Sequence, residues 1–205
     1  MKHYSGPLAR LALGILFWAP LLLAFWWYGA MPWLIAGLRS LTEPVLVGWF
    51  PHELLGLQPA SERVWLVKTL LVPSENPGGF AAFQLPVARF TVSFPLFWAL
   101  ALATPAPWRQ RLFNLSLGTI GITLLVILML VLYVQFHLAL QINHQSLFGE
   151  MPPTDYVYAL PYSATGFYLS GVGRQLAVLV LPTFSPVVLW GLLNPSLFRF
   201  LLVEG

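Results

Sequence analysis

LFNLSLGTIGITLLVILMLVLYVQFHLAL, residues 112–140, decides how the rest of this chain is read. The stretch contains no proline and no Asp, Glu, Lys or Arg. It exceeds the roughly 20 apolar residues that cross a hydrocarbon core of about 30 Å. Lipid offers the backbone no hydrogen-bond partner of its own, so an uncharged run of this length is a transmembrane helix.

Lipid is the solvent for the whole chain. Of its 205 residues 58% are hydrophobic and 8% charged, against about a quarter charged in a soluble domain, and the mean hydropathy is +0.76. Three further spans are expected, at about 11–35, 90–107 and 176–193, with outer loops at 36–89 and 142–173. Four spans use less than half of the chain, so 1–205 reads as a single membrane domain without a separate soluble one. The first span follows a short basic segment, but its apolar run is too long for a signal-peptide core and lacks a small-residue cleavage site. Its Trp26, Trp27, Tyr28 and Trp33 place the far interface near Trp33. Pro95 sits near the start of the second span, and Pro182 and Pro186 should kink the fourth.

The net charge of +3 comes from ten scattered basic residues that form no run or face, so they are topology signals rather than a nucleic-acid footprint. Lys2 and Arg10, Arg109 and Arg111, and Arg199 fall on one side of a four-span chain. That side is expected to be cytoplasmic, with both termini on it. The opposite loops carry Arg39, Arg63, Lys68, Arg89 and Arg174 but also six of the seven acids, which leaves them near neutral. Cysteine is absent, which excludes disulfides, thiolate metal sites and a cysteine nucleophile.

In the first outer loop, 42–57 mixes apolar residues with Glu43, His52 and Glu53 and suits an interfacial segment broken at Pro51. Residues 63–72 are rich in β-branched and aromatic side chains, 73–79 is a turn cluster and 80–87 alternates loosely, the pattern of a β-hairpin. The second outer loop holds Pro152, Pro153, Pro161 and the aromatics Tyr156, Tyr158, Tyr162, Phe167 and Tyr168. Few charges and many rings suit an ordered segment packed on the hairpin or on a partner. The expected class is therefore an all-α polytopic membrane protein: four transmembrane helices, with a small extracytoplasmic β-hairpin and interfacial helix between the first two. No internal repeat supports an inverted-repeat transporter.

Ser116, Thr119, Thr123, Tyr133, His137, Gln141 and His144 recur at helical spacing along the third span. A polar stripe in lipid must face other helices or a partner. Helix glue, at roughly 0.6 kcal/mol per interhelical hydrogen bond, is the favoured role. His137 and His144, two turns apart with Gln141 between them, could present two imidazoles to a metal or haem. The other spans contain no facing histidine, however, so no cofactor is expected. No Asp, Glu, Lys or Arg lies mid-span, which disfavours a proton or ion path, and nucleophile-elbow and His-Glu-x-x-His signatures are missing. Ala99 and Ala103 have small-xxx-small spacing. Arg39, Arg89 and Arg174 at the outer span ends could receive a carboxylate or lipid phosphate, although interfacial snorkelling is favoured.

Four stretches carry a family resemblance: FWAPLLLAFWW at 17–27, WLVKTLLV at 65–72 leading into Pro73, FPLFWALALATP at 94–105 before the basic turn, and QLAVLVLPTFSPVVLWGLL at 175–193. In that order they resemble the exosortase H-associated membrane proteins, small bacterial inner-membrane proteins. The resemblance implies an accessory role beside an exosortase, a membrane enzyme that processes C-terminal sorting signals with a catalytic Cys, Arg and His. A chain without cysteine cannot be that enzyme, and no catalytic residue carries over. The expected function is a non-enzymatic accessory subunit of an inner-membrane complex, with membrane lipid and an exosortase-like integral membrane protein as partners. The alternatives are an accessory or cofactor-holding subunit of a respiratory or photosynthetic complex, and an enzyme acting on a lipid-linked substrate.

Overall fold

The uninterrupted apolar stretch folds as the middle of a 36-residue helix, Trp108–Asn143. At 1.5 Å per residue it is about 54 Å long, more than a hydrocarbon core requires. Along it Phe113, Leu117, Ile120, Leu124 and Leu128 form an exposed stripe. In water such a stripe would be a liability; in lipid it is the face the helix shows to its solvent.

The computed structural model describes residues 5–71, 80–143 and 162–198. In chain order the elements are α1 (Ser5–Phe25), α2 (Met31–Trp49), β1 (Leu54–Pro59), β2 (Trp65–Thr69), β3 (Ala82–Leu85), α3 (Ala88–Thr91), α4 (Ser93–Ala103), α5 (Trp108–Asn143), α6 (Ala164–Gln175) and α7 (Leu181–Leu193). Three helical stretches among the described residues, Ala9–Trp49, Trp108–Ile142 and Ala164–Leu193, are long and apolar enough to cross a membrane.

Four spans were expected, and the second differs from expectation. In place of a helix over 90–107 stand the single turn α3, which begins at Ala88, and the 11-residue α4, about 16 Å long, which ends at Ala103. Pro95 is tolerated because it lies in the first turn of α4, where no intrahelical donor is needed. Thr104 ends the helix in an extended conformation, ψ 126°, because it precedes Pro105 and the α region is closed to such a residue. The first span also runs further than expected, and the fourth starts earlier, at Ala164, because the last part of the outer loop expected over 142–173 is helical. Helix continues through Pro44 to Trp49, so the first half of the interfacial segment expected over 42–57 is the end of α2. Pro51 stands two residues after the last helical residue, Trp49, where proline is common.

Among the described residues, alpha-helical geometry is interrupted twice by a five-residue π turn, at Trp26–Ala30 and at Leu176–Val180. The Met31 N–H bonds Trp26 O, five residues back. Each turn ends two residues before a proline, Pro32 or Pro182. Proline has no N–H for the carbonyl four residues earlier and its ring collides with that carbonyl. A local π adjustment re-satisfies the freed groups without breaking the helix.

The expected hairpin is present as β2 and β3, paired antiparallel with Trp65 opposite Leu85 and Val67 opposite Phe83. The turn cluster at 73–79 lies outside the described residues. A third strand, β1, pairs antiparallel with the free side of β2 and is bulged between Leu54 and Gly56. Trp65, Val67 and Thr69 are buried while Leu66 and Lys68 are only half-buried, the period of two that a one-sided sheet imposes. The Glu43 carboxylate of α2 accepts the Leu57 amide of β1 at 3.0 Å. A Cβ on Gly56 would lie 2.9 Å from the same oxygen, so this contact requires glycine.

The chain divides into two compact units: Met1–Met31, Thr91–Val126 and Val180–Gly205 make one, and Pro32–Phe90 with Ile127–Leu179 the other. In the first, α1 meets α4 so closely that a Cβ on Gly14 would sit 2.9 Å from Ala103, one of the two small-spaced alanines. Buried Phe97 of α4 fills the space above Gly118 of α5, and Leu189 of α7 that above Gly121. Polar ties complete it. Trp98 Nε1 donates to Thr119 Oγ1 at 3.0 Å, Trp190 Nε1 to Thr104 Oγ1 at 2.8 Å, and Asn114 Nδ2 to Asn194 Oδ1 at 3.1 Å. Ser93 Oγ donates to Pro182 O at 3.1 Å.

Candidate functional site

The second unit gathers residues from two separate sequence patterns into one cluster. Tyr133 and His137 stand one turn apart on α5, and Phe136 lies beside them. The His137 Nδ1 is 2.9 Å from Tyr133 O. A carbonyl can only accept, so Nδ1 carries a proton and donates it to this bond. Phe83 of β3 stacks on the imidazole with centroids 5.1 Å apart, Tyr133 stacks at 4.2 Å, and Phe136 meets it edge-on at 5.7 Å. Phe90 meets Tyr133 edge-on at 5.6 Å.

The last turn of α6 brings Arg174 to this aromatic wall. Its Cζ lies 5.2 Å from the Phe136 centroid and 5.8 Å from that of Tyr133, within cation–π range. Its guanidinium also bonds the Tyr133 side chain, and Arg89 adds a second positive charge acting on that phenol. The Arg174 Nε is buried and has no acceptor. Glycine allows the approach: a Cβ on Gly173 would stand 3.3 Å from Leu132, and one on Gly171 3.5 Å from Phe136. Ser163 starts α6, its Oγ accepting the Gly166 amide at 3.1 Å. Just before it, burial first and the negative charge of Glu53 second push the Tyr162 phenol above the ordinary tyrosine range.

The remaining expected residues fall elsewhere. Arg39 is engaged by Glu43 at 3.5 Å. Ser116 is exposed, Thr119 accepts from Trp98 and bonds back to Leu115 O at 2.6 Å, and Thr123 bonds Thr119 O at 2.8 Å. The Gln141 Oε1 is buried without a partner, and His144 lies outside the described residues. No group of three His, Cys, Asp or Glu side chains that could hold a metal ion occurs among the described residues. Sequence reasoning missed Phe83, whose place over His137 depends on strand register. It also missed Asn114, a lone amide in an apolar run and therefore a visible sign of an interhelical bond.

Chemically, the cluster offers a guanidinium held against aromatic rings with one unsatisfied nitrogen, suited to an anionic oxygen. Residues 5–197 match the family profile of the exosortase H-associated membrane proteins. The chain belongs to this family. No match was found among curated proteins or among solved structures. As an exosortase H-associated membrane protein, it has helices whose lipid-facing stripes agree with the membrane setting of the family.

Proposed function

We propose that this chain is a non-enzymatic accessory subunit of an exosortase protein-sorting system in the bacterial inner membrane. The observation that carries this reading is the absence of cysteine from a member of an exosortase-associated family: the chain cannot supply a thiolate, so its contribution is to the partner that does. The polar residues of α5, Ser116, Thr119, Thr123, Tyr133, His137 and Gln141, together with His144, which lies outside the described residues, are the proposed partner interface. Arg39, Arg89 and Arg174 are the proposed contacts to a carboxylate or lipid phosphate. Helix α5 supplies residues to both units, which supports treating 1–205 as one membrane domain. Both termini are proposed to be cytoplasmic.

Co-expression with an exosortase and purification in a gentle detergent test the reading. A stoichiometric complex is expected, weakened by Arg174→Gln in a chain that still folds. A monodisperse monomer without a bound exosortase would overturn it. Reporter fusions after Arg111 and after Gly205 should both report cytoplasm, and fusions near Asn76 and Asp155 the other side.

A further inference from the structure

At one end of the first unit, a half-open cleft of about 670 Å³ lies where α1 begins, α4 and α7 end and α5 starts. Its volume is within the ~300–1,000 Å³ of small-molecule sites. Arg10, Gln110 and Ser196 line it, together with Thr104 and Asn194. The last two are buried and already spent on the unit's internal bonds. The side chains of Arg10, Gln110 and Ser196 make no hydrogen bond or ion pair within the described residues, and all three residues are exposed.

Charge selects the ligand. The unit contains Lys2, Arg10, Arg109, Arg111 and Arg199 against the single acid Glu204. None of the cleft-lining residues is acidic. The Arg111 Nε is buried without an acceptor. The first amides of α5, a 36-residue helix, have no acceptor within it and add the positive end of its dipole. Trp108, 62% exposed, begins the same helix, and tryptophan is the residue of the headgroup layer.

We infer that this cleft binds a phosphate ester, with Arg10 as the charged donor and Gln110 and Ser196 as neutral ones. The phosphate could belong to an anionic lipid headgroup or to a soluble phosphate ester. The purified full chain, titrated with phosphatidylglycerol or phosphatidylcholine and read by native mass spectrometry, tests the inference. The first phosphatidylglycerol should bind preferentially, and Arg10→Gln should weaken it by roughly fivefold, the effect of one basic residue near anionic lipid. Arg109→Gln makes the same charge change outside the cleft and should leave that first affinity within about twofold. Competition by glycerol 3-phosphate would assign the site to soluble esters, and its failure to compete would assign it to lipid; both agree with a phosphate site. Equal weakening by the two arginine variants, or no preference for phosphatidylglycerol, would overturn the inference. Should Arg10→Gln fail to fold, exposed Gln110→Leu gives the same reading: weaker first binding supports the site and unchanged binding overturns it.

Discussion

Replacing Gly118 by alanine should be among the most damaging single-methyl changes in this protein. The added Cβ would lie 1.8, 2.3 and 2.7 Å from three atoms of the Phe97 ring, where carbon atoms sit best at about 3.5–4.0 Å. The ring must retreat by about 2 Å, yet Phe97 is 0% exposed and has no solvent side to swing into. Overpacking costs about 1–3 kcal/mol, and three ring atoms struck at once place this case near the top of that range. Alanine's helix propensity offsets about 1 kcal/mol, leaving a net loss of about 2 kcal/mol. Reversible unfolding in mixed detergent–SDS micelles, followed by tryptophan fluorescence, measures it. Gly37 and Gly48 of α2 are the controls: a Cβ there meets nothing within 4 Å, so alanine should be neutral or stabilise by up to about 1 kcal/mol. Adding Phe97→Leu should recover part of the Gly118→Ala loss, because the two changes share one space. A Gly118→Ala protein as stable as its parent would refute the packing of α4 on α5 described here.

Thr119→Val, which removes the acceptor of Trp98 Nε1, should cost about 0.6 and at most about 1.7 kcal/mol. Thr123→Val, which loses only a bond to its own helix, should cost less, and the reverse order in the same unfolding assay would count against these partners. Glu43→Gln keeps an oxygen for the Leu57 amide and should cost under about 1 kcal/mol, whereas Glu43→Ala strands that amide and should cost about 1–3 kcal/mol; equal losses would refute the role of the carboxylate. A raised folded-state pKa at Tyr162 means that the folded chain holds the phenolic proton longer than the unfolded chain. Its contribution is complete below the ordinary tyrosine value near 10 and declines as pH rises through the folded value, so Tyr162→Phe should flatten the alkaline limb of a stability–pH curve.

The membrane class was legible because lipid imposes a length and a composition on any helix that crosses it, and 112–140 meets both. Helix ends were less legible. Pro44 is carried inside α2 without stopping it, while Pro105, acting through Thr104, ends α4 after 11 residues, so a proline in the sequence does not by itself mark a helix end. Strand β2 was visible in its β-branched and aromatic residues and β3 in the loose alternation of 80–87. Strand β1, LLGLQP, has neither alternation nor branching and exists because β2 has a second edge and Glu43 reaches Leu57. The histidine and arginine patterns were each visible along the chain. That Tyr133, His137, Arg89 and Arg174 share one cluster was not, since it depends on the register that sets Phe83 over the imidazole and on glycines that let α6 approach α5.

The two π turns also bear on how relatives of this chain should be aligned. A π turn is a helix carrying one extra residue, and each residue turns an α-helix by about 100°. Removing one residue from Leu176–Val180 would let the turn close to α geometry, with Trp190 still at Thr104 and Leu189 still at Gly121. The same deletion within the α-helical part of α7 would carry every later side chain about 100° round the helix. Single-residue gaps between family members are therefore expected inside these two helices, immediately before Pro32 and Pro182, and a relative lacking either proline should lack the extra residue as well.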